Sequence, residues 1–215
     1  MGTAAVIVTA AVGCGPATPD YQSIWSTSAT TTTTTPSSTE KPVPLSAYLE
    51  NNGVTGAPVA PDKLTDLTVS FPTPPGWAPY ANPNLSPGTR VIAKGPTYPT
   101  AMLLVFQLSG DFDVADALKH ADADAELSDN FKKLNGSTDN YRGFPSSMVE
   151  GTYDLNGRRM QSYNRVVFAT GTPVRPNLPG QRYLVQFTIT SFADQAAANG
   201  PDIEAILRGF VVKAK

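Results

Sequence analysis

Apolar and polar positions change rhythm several times along the chain. Residues 102–106 are five apolar residues in a row, inside TAMLLVFQLSG (100–110). Such a segment carries apolar side chains on both faces and must be covered on both, which predicts a central strand. Elsewhere the rhythm is alternation. Tyr183, Val185, Phe187 and Ile189 alternate with mostly polar residues in RYLVQFTITSF, and Val149, Gly151, Tyr153 and Leu155 do the same ahead of Asn156-Gly157. Asn-Gly is the favoured pair for a type I′ turn, where both central residues need positive φ. FPSSMVEGTYDLNGRRMQSYNRVVFATG therefore predicts a hairpin. Further strands are predicted at 67–71 and in TRVIAKG (89–95). The first of these must stop at Pro72, Pro74 and Pro75, because proline has no N–H to give to a sheet ladder.

The helical period occurs three times. PLSAYLENNG predicts a short helix that stops at Gly53, a favoured C-cap residue. Residues 113–134 are the longest candidate. Val114, Leu118, Ala121 and Ala125 fall at helical spacing, and Leu127, Phe131 and Leu134 continue it after a phase shift. Asp113 suits the N-cap and Asp116 the first turn. In PDIEAILRGFVVKAK, the residues Ile203, Ile206, Leu207, Phe210 and Val211 make the single stripe of an amphipathic helix. About six strands in largely meander order, a long middle helix and a C-terminal helix predict an α+β layered sandwich on an antiparallel sheet. No regular β-α alternation and no internal repeat is present.

The beginning of the chain follows different rules. Residues 3–13, TAAVIVTAAVG, carry no charge. The run is too short for a helical span, which needs about 20 residues, and it fits the apolar region of a secretory signal peptide, expected over 1–13. The single cysteine, Cys14, follows Ala11, Val12 and Gly13. Small residues there suit a peptidase that holds an extended strand in narrow pockets. The stretch resembles a bacterial lipobox, so Cys14 is the expected lipidation site. Ala11 stands where Leu is usual, and no Lys or Arg precedes the apolar run, so a basic segment is expected upstream of Met1. Residues 14–43, with six consecutive Thr and interspersed Ser and Pro, have too little apolar surface to offset the entropy of ordering. They are expected to form a disordered tether with a reach of roughly 30 Å, open to O-glycosylation. A single domain is expected over 44–215.

Composition narrows the chemistry. The formal charge of the 215 residues is −2, which gives no electrostatic footprint for nucleic acid. One cysteine permits neither an internal disulfide nor a Cys-based zinc site. The single histidine, His120, lies beside Lys119 and Asp122, and no G-x-S-x-G elbow accompanies it. Asp122, Asp124 and Glu126 at i, i+2, i+4 would scatter over different faces of a helix, as a solvated acidic face. No Gly-rich phosphate loop or metal-spaced set occurs. No catalytic residue, cofactor or metal is expected. The Asn135-Gly-Ser triplet matches a glycosylation sequon, to which the lipobox resemblance, implying a bacterial source, gives no weight. PTPPGWAPY presents Trp77 and Tyr80 on a stiff loop. They either cover the end of the core or form the lip of a ligand groove, and they are the candidate ligand-binding residues.

VPLSAYLENNGVTGAPVAPDKLTDLTVSFPTPPGW, YPTAMLLVFQLSGDFDVADALKHADADAELSDNF and GFPSSMVEGTYDL together resemble the LpqN/LpqT family of mycobacterial lipoproteins, over about residues 42–215. The resemblance implies a PsbP-like sandwich of sheet and helices, a cell-envelope location and no established enzymatic activity. It also implies roles in envelope biogenesis, mycolate-lipid trafficking and host-facing interaction. A secreted proline-rich antigen belongs to the same family. Only Cys14 carries over as a site. The expectation is a lipoprotein on the outer face of the cell membrane, anchored by acyl chains on Cys14. It would act as a non-enzymatic binding or accessory module for envelope lipids, membrane proteins or host receptors. The alternative is a hydrolase of cell-wall or lipid esters.

Overall fold

The computed structural model describes residues 41–215. The expected signal peptide, Cys14 and most of the expected tether lie outside the described residues. The first element is α1 (Leu45–Asn51), which buries Leu45 and Leu49 completely. Gly53 follows its end with φ 73°, a left-handed geometry that lets the chain turn off the helix.

Ten strands follow: β1 (Thr55–Pro58), β2 (Leu67–Ser70), β3 (Ala78–Pro79), β4 (Arg90–Ala93), β5 (Thr100–Ser109), β6 (Lys132–Ser137), β7 (Ser146–Leu155), β8 (Arg158–Thr170), β9 (Arg182–Phe192) and β10 (Val211–Ala214). The other helices are α2 (Val114–Leu118), α3 (Ala123–Glu126) and α4 (Ala196–Gly209). Eight strands make one antiparallel sheet in the order β3-β4-β5-β9-β8-β7-β6. The eighth, β1, shares an edge of β5 with β4: β4 pairs with residues 100–103 and β1 with 106–109. The remaining two strands, β2 and β10, pair separately. Asn156 and Gly157 turn β7 into β8 with φ 48° and 72°, the two positive values that the Asn-Gly pair predicts.

Alternate residues of β5 point into two different cores. Leu103 and Val105, with Val185, Phe187 and Val167, pack under α4 and the β2–β10 pair. Met102, Leu104, Phe106 and Leu108 pack under α1 and α2. The central strand is covered on both faces, and the fold is α+β.

Three expectations need correction. Residues 113–134 are not one helix. Asp113 does cap α2, its Oδ1 accepting from Asp116 N at 2.9 Å. The chain then turns, forms the single turn α3, takes φ 51° at Asn130 and leaves as β6 from Lys132. The phase shift in the apolar pattern marks this break: a straight helix would carry Phe131 off the buried stripe. Instead its ring lies over Gly151 of β7, so close that a Cβ there would come within 2.3 Å of it. The C-terminal stripe likewise spans two elements. Gly209 ends α4 against Pro72, Phe210 turns extended while staying buried, and Val211 starts β10. Finally, β1, β3, β6 and β10 add to the six expected strands. They are short, and β1, β3 and β6 carry Gly or Pro that dilutes a strand pattern.

Candidate functional site

On the α1–α2 face the apolar cover stops short. Between Val166 and Met160 of β8, side chains on that face turn polar. Ser162 lies opposite Thr190, Asn164 opposite Thr188 and Val166 opposite Gln186. Met102 of β5 flanks Thr188. Above this floor runs the segment of α3, whose inward positions include the small Ala121 and Ala125. Short side chains cannot fill the space to the sheet, and a cavity of about 300 Å³ remains, walled on the β7 side by Tyr153, Asp154 and Leu155.

The polar groups here are unequally satisfied. Asn164 Nδ2 donates to Ser162 Oγ at 3.1 Å. Asp154 accepts from Asn130 Nδ2 at 2.7 Å and from Arg159 Nη1 at 3.0 Å, and these bonds, Asn130 first, hold its carboxyl below the usual range. Gln186 is buried with its Oε1 unpartnered. Burial pushes the Asp124 carboxyl above the usual range. The three acidic residues expected to scatter as a solvated acidic surface do separate, but not all are solvated. Asp122 takes Ser147 Oγ at 2.9 Å and Lys133 Nζ at 2.8 Å, Asp124 lines the cavity, and Glu126 is exposed. Among the described residues no group of three His, Cys, Asp or Glu could hold a metal ion.

Trp77 and Tyr80 do not line this cavity and do not share a face. Trp77 is buried in the core beneath α4, its indole Nε1 donating to Asp202 Oδ2 at 3.1 Å. Tyr80, on the far side of β3, packs against the core of the opposite face. The intervening strand sends the two rings to opposite sides of the sheet, where each covers the end of a core. His120 stacks on Tyr48 with centroids 4.4 Å apart, and its Nδ1 meets the Val43 carbonyl at 3.1 Å. Tyr48 in turn donates to Asp116 at 2.9 Å. This cluster fastens the start of the domain to α2. Among the described residues no helix is long and apolar enough to cross a membrane.

Residues 41–213 match the family described as "Probable lipoprotein LpqN". The chain belongs to this family. "Putative lipoprotein LpqT" of Mycobacterium tuberculosis is 60% identical over 211 residues, covering 98% of this chain and 91% of that protein. The "Proline-rich 28 kDa antigen" of the same species is 34% identical over 174 residues, 79% of this chain and 54% of the antigen. The fold resembles the crystal structure of LpqN, described as involved in cell envelope biogenesis of M. tuberculosis. The TM-score is 0.66 at 19% identity, over 80% of this chain and 98% of that one.

The polar floor of this LpqN-family domain went unread in the sequence. In β9, Gln186, Thr188 and Thr190 alternate with the apolar set and look like a solvent face. The missed signal is the neighbour: β5 is apolar on both sides, so the strand paired beside it is also covered on both. Polar residues there are enclosed, not solvated.

Proposed function

We propose that this protein is a membrane-anchored envelope lipoprotein whose domain binds an amphiphile in the cavity beneath α3 and turns nothing over. The observation that carries this is the mixed lining: a polar floor with an unpaired Gln186 acceptor, bordered by Met102, Val166, Leu127 and Leu155. About 300 Å³ is at the small end of pockets that hold ligands, so it suits a head group or chain segment rather than a whole lipid. Binding is favoured over hydrolysis because His120 is engaged with Tyr48 and Val43, away from the lining. The LpqT and LpqN relatives, one of them tied to envelope biogenesis, support an envelope setting. Acyl chains on Cys14 would keep the domain near the bilayer and raise its effective concentration toward envelope lipids or membrane proteins.

Native mass spectrometry of the full chain, isolated from its own membranes, tests both halves. The expected result is a diacylglyceryl-sized mass on Cys14 and a co-purifying small molecule that Gln186→Leu loses. Full-length protein with neither mass overturns the proposal.

A further inference from the structure

We infer that the cavity beneath α3 takes the ammonium head of a cationic amphiphile, seated between Asp124 and Gln186. This rests on the cavity being the binding site, and it adds the charge of the ligand.

The lining asks for donors and for positive charge. Its ionisable carboxylates are Asp124, Asp129 and Asp154, and no Lys, Arg or His lines it. Asp154 already has Asn130 and Arg159. Asp124 has no such partner: its backbone carbonyl accepts from Ser128 Oγ, while its carboxylate is bonded to nothing, and burial disfavours its charged form. Gln186 is about nine-tenths buried, with 9% of its surface exposed, and its Oε1 is the one buried side-chain polar atom without a partner among the described residues. A carboxylate accepts only, and an amide oxygen accepts only. Gln186 Oε1 is an unpaired acceptor cut off from solvent and Asp124 is a half-buried carboxylate with no donor, and each gains from one.

Candidate ligands differ in what they return. An anion meets three carboxylates and no cation, against which the hydroxyl and amide donors of the floor offer only neutral hydrogen bonds. A neutral hydroxyl can donate to Gln186 and leaves the half-buried Asp124 without a counter-charge. A bare metal ion is best held by three or more His, Cys, Asp or Glu in one cluster, and the described residues hold no such group. An ammonium carries one positive charge and three N–H donors, enough for Asp124, for Gln186 Oε1 and for a floor hydroxyl such as Thr188. Met102, Val166 and Leu155 supply apolar wall for the chain attached to that nitrogen. Leu127, 43% exposed, marks the side on which the chain leaves.

The test is isothermal titration of the full chain with three eight-carbon probes below their micelle concentrations: octylammonium, 1-octanol and octanesulfonate. Octylammonium is expected to bind at least tenfold tighter than 1-octanol, with octanesulfonate weakest. Asp124→Asn, which keeps the shape, is expected to erase the preference while 1-octanol still binds. Asp129→Asn is expected to leave most of it, and circular dichroism checks that both variants fold. Equal binding of octylammonium and 1-octanol, or a preference that survives Asp124→Asn, overturns the inference and leaves the binding module standing. No heat from any probe overturns both.

Discussion

Trp77 and Asp202 meet across the core: the indole Nε1 donates to Asp202 Oδ2 at 3.1 Å, and the same oxygen takes the Lys94 ammonium at 2.7 Å. The contact fastens α4 onto the β3–β4 edge. Lys94 first and Trp77 second hold the Asp202 carboxyl below the usual range. Trp77→Ala removes a buried indole and leaves a void, so it is expected to cost about 3–5 kcal/mol in urea unfolding. A loss below about 1 kcal/mol would show that the ring is a surface element after all.

The opposite kind of buried group is Gln186. Its unpaired Oε1 forfeits hydrogen bonding to water, so Gln186→Leu is expected to raise stability by about 1 kcal/mol. The same change should abolish occupancy of the cavity. A thermal melt and a probe titration on one sample check the two effects together. A stability that falls would mean the amide has a partner.

Phe131 over Gly151 predicts a coupling. Gly151→Ala places a methyl against the ring and 2.9 Å from the Lys132 carbonyl, and should cost about 1–3 kcal/mol. Phe131→Ala frees the ring side only. The double variant is expected to lose less than the sum of the singles. Additive losses in denaturant melts would show that the ring can move aside freely.

A fourth expectation concerns alkaline pH. Tyr183 donates to the buried Asp66 at 2.8 Å, and burial, then Asp66, pushes its phenol up to about 12 from 10.0. In the unfolded chain the phenol ionises first, so the folded state holds the extra proton. Stability from this pair is complete below pH 10 and is lost as pH rises toward about 12. Tyr183→Phe should lower stability by about 1–3 kcal/mol at neutral pH, because Asp66 Oδ1 loses its donor. It should also flatten the alkaline decline measured by unfolding at stepped pH. An unchanged decline would place its cause elsewhere.

The anchor is tested by Cys14→Ala. Two acyl chains hold a protein on a bilayer and none do, so the variant is expected in the soluble fraction after high-salt washing. Sedimentation with membranes at wild-type levels would refute lipidation at Cys14.

How far the sequence foretold this molecule depended on length and context. The run at 102–106 placed β5 at the centre because five apolar residues admit one explanation in a mixed fold. Asn156-Gly157 fixed a hairpin because few pairs tolerate two positive φ values. The four-residue strands β1 and β10 escaped notice because a ladder partner, rather than local pattern, makes them strands. Leu127, Phe131 and Leu134 kept helical spacing without being helical, since the register of β6 on β7 outweighed it. The cavity was harder still. Gln186 and Asp124 are 62 positions apart in sequence numbering (186 − 124), and only the fold brings them to one space.

β2 and β10 carry a consequence for how the chain is made. Val69 pairs with Val212, so a strand near the start of the domain waits for one made after nearly all the rest. A ribosome delivers Leu67 and Val69 early, with their apolar side chains unclosed. Contacts so distant in sequence form late. The core beneath α4 cannot shut on a chain that stops short of Val211. A chain cut before Val211 therefore leaves Leu67 and Val69 without the strand that pairs with them.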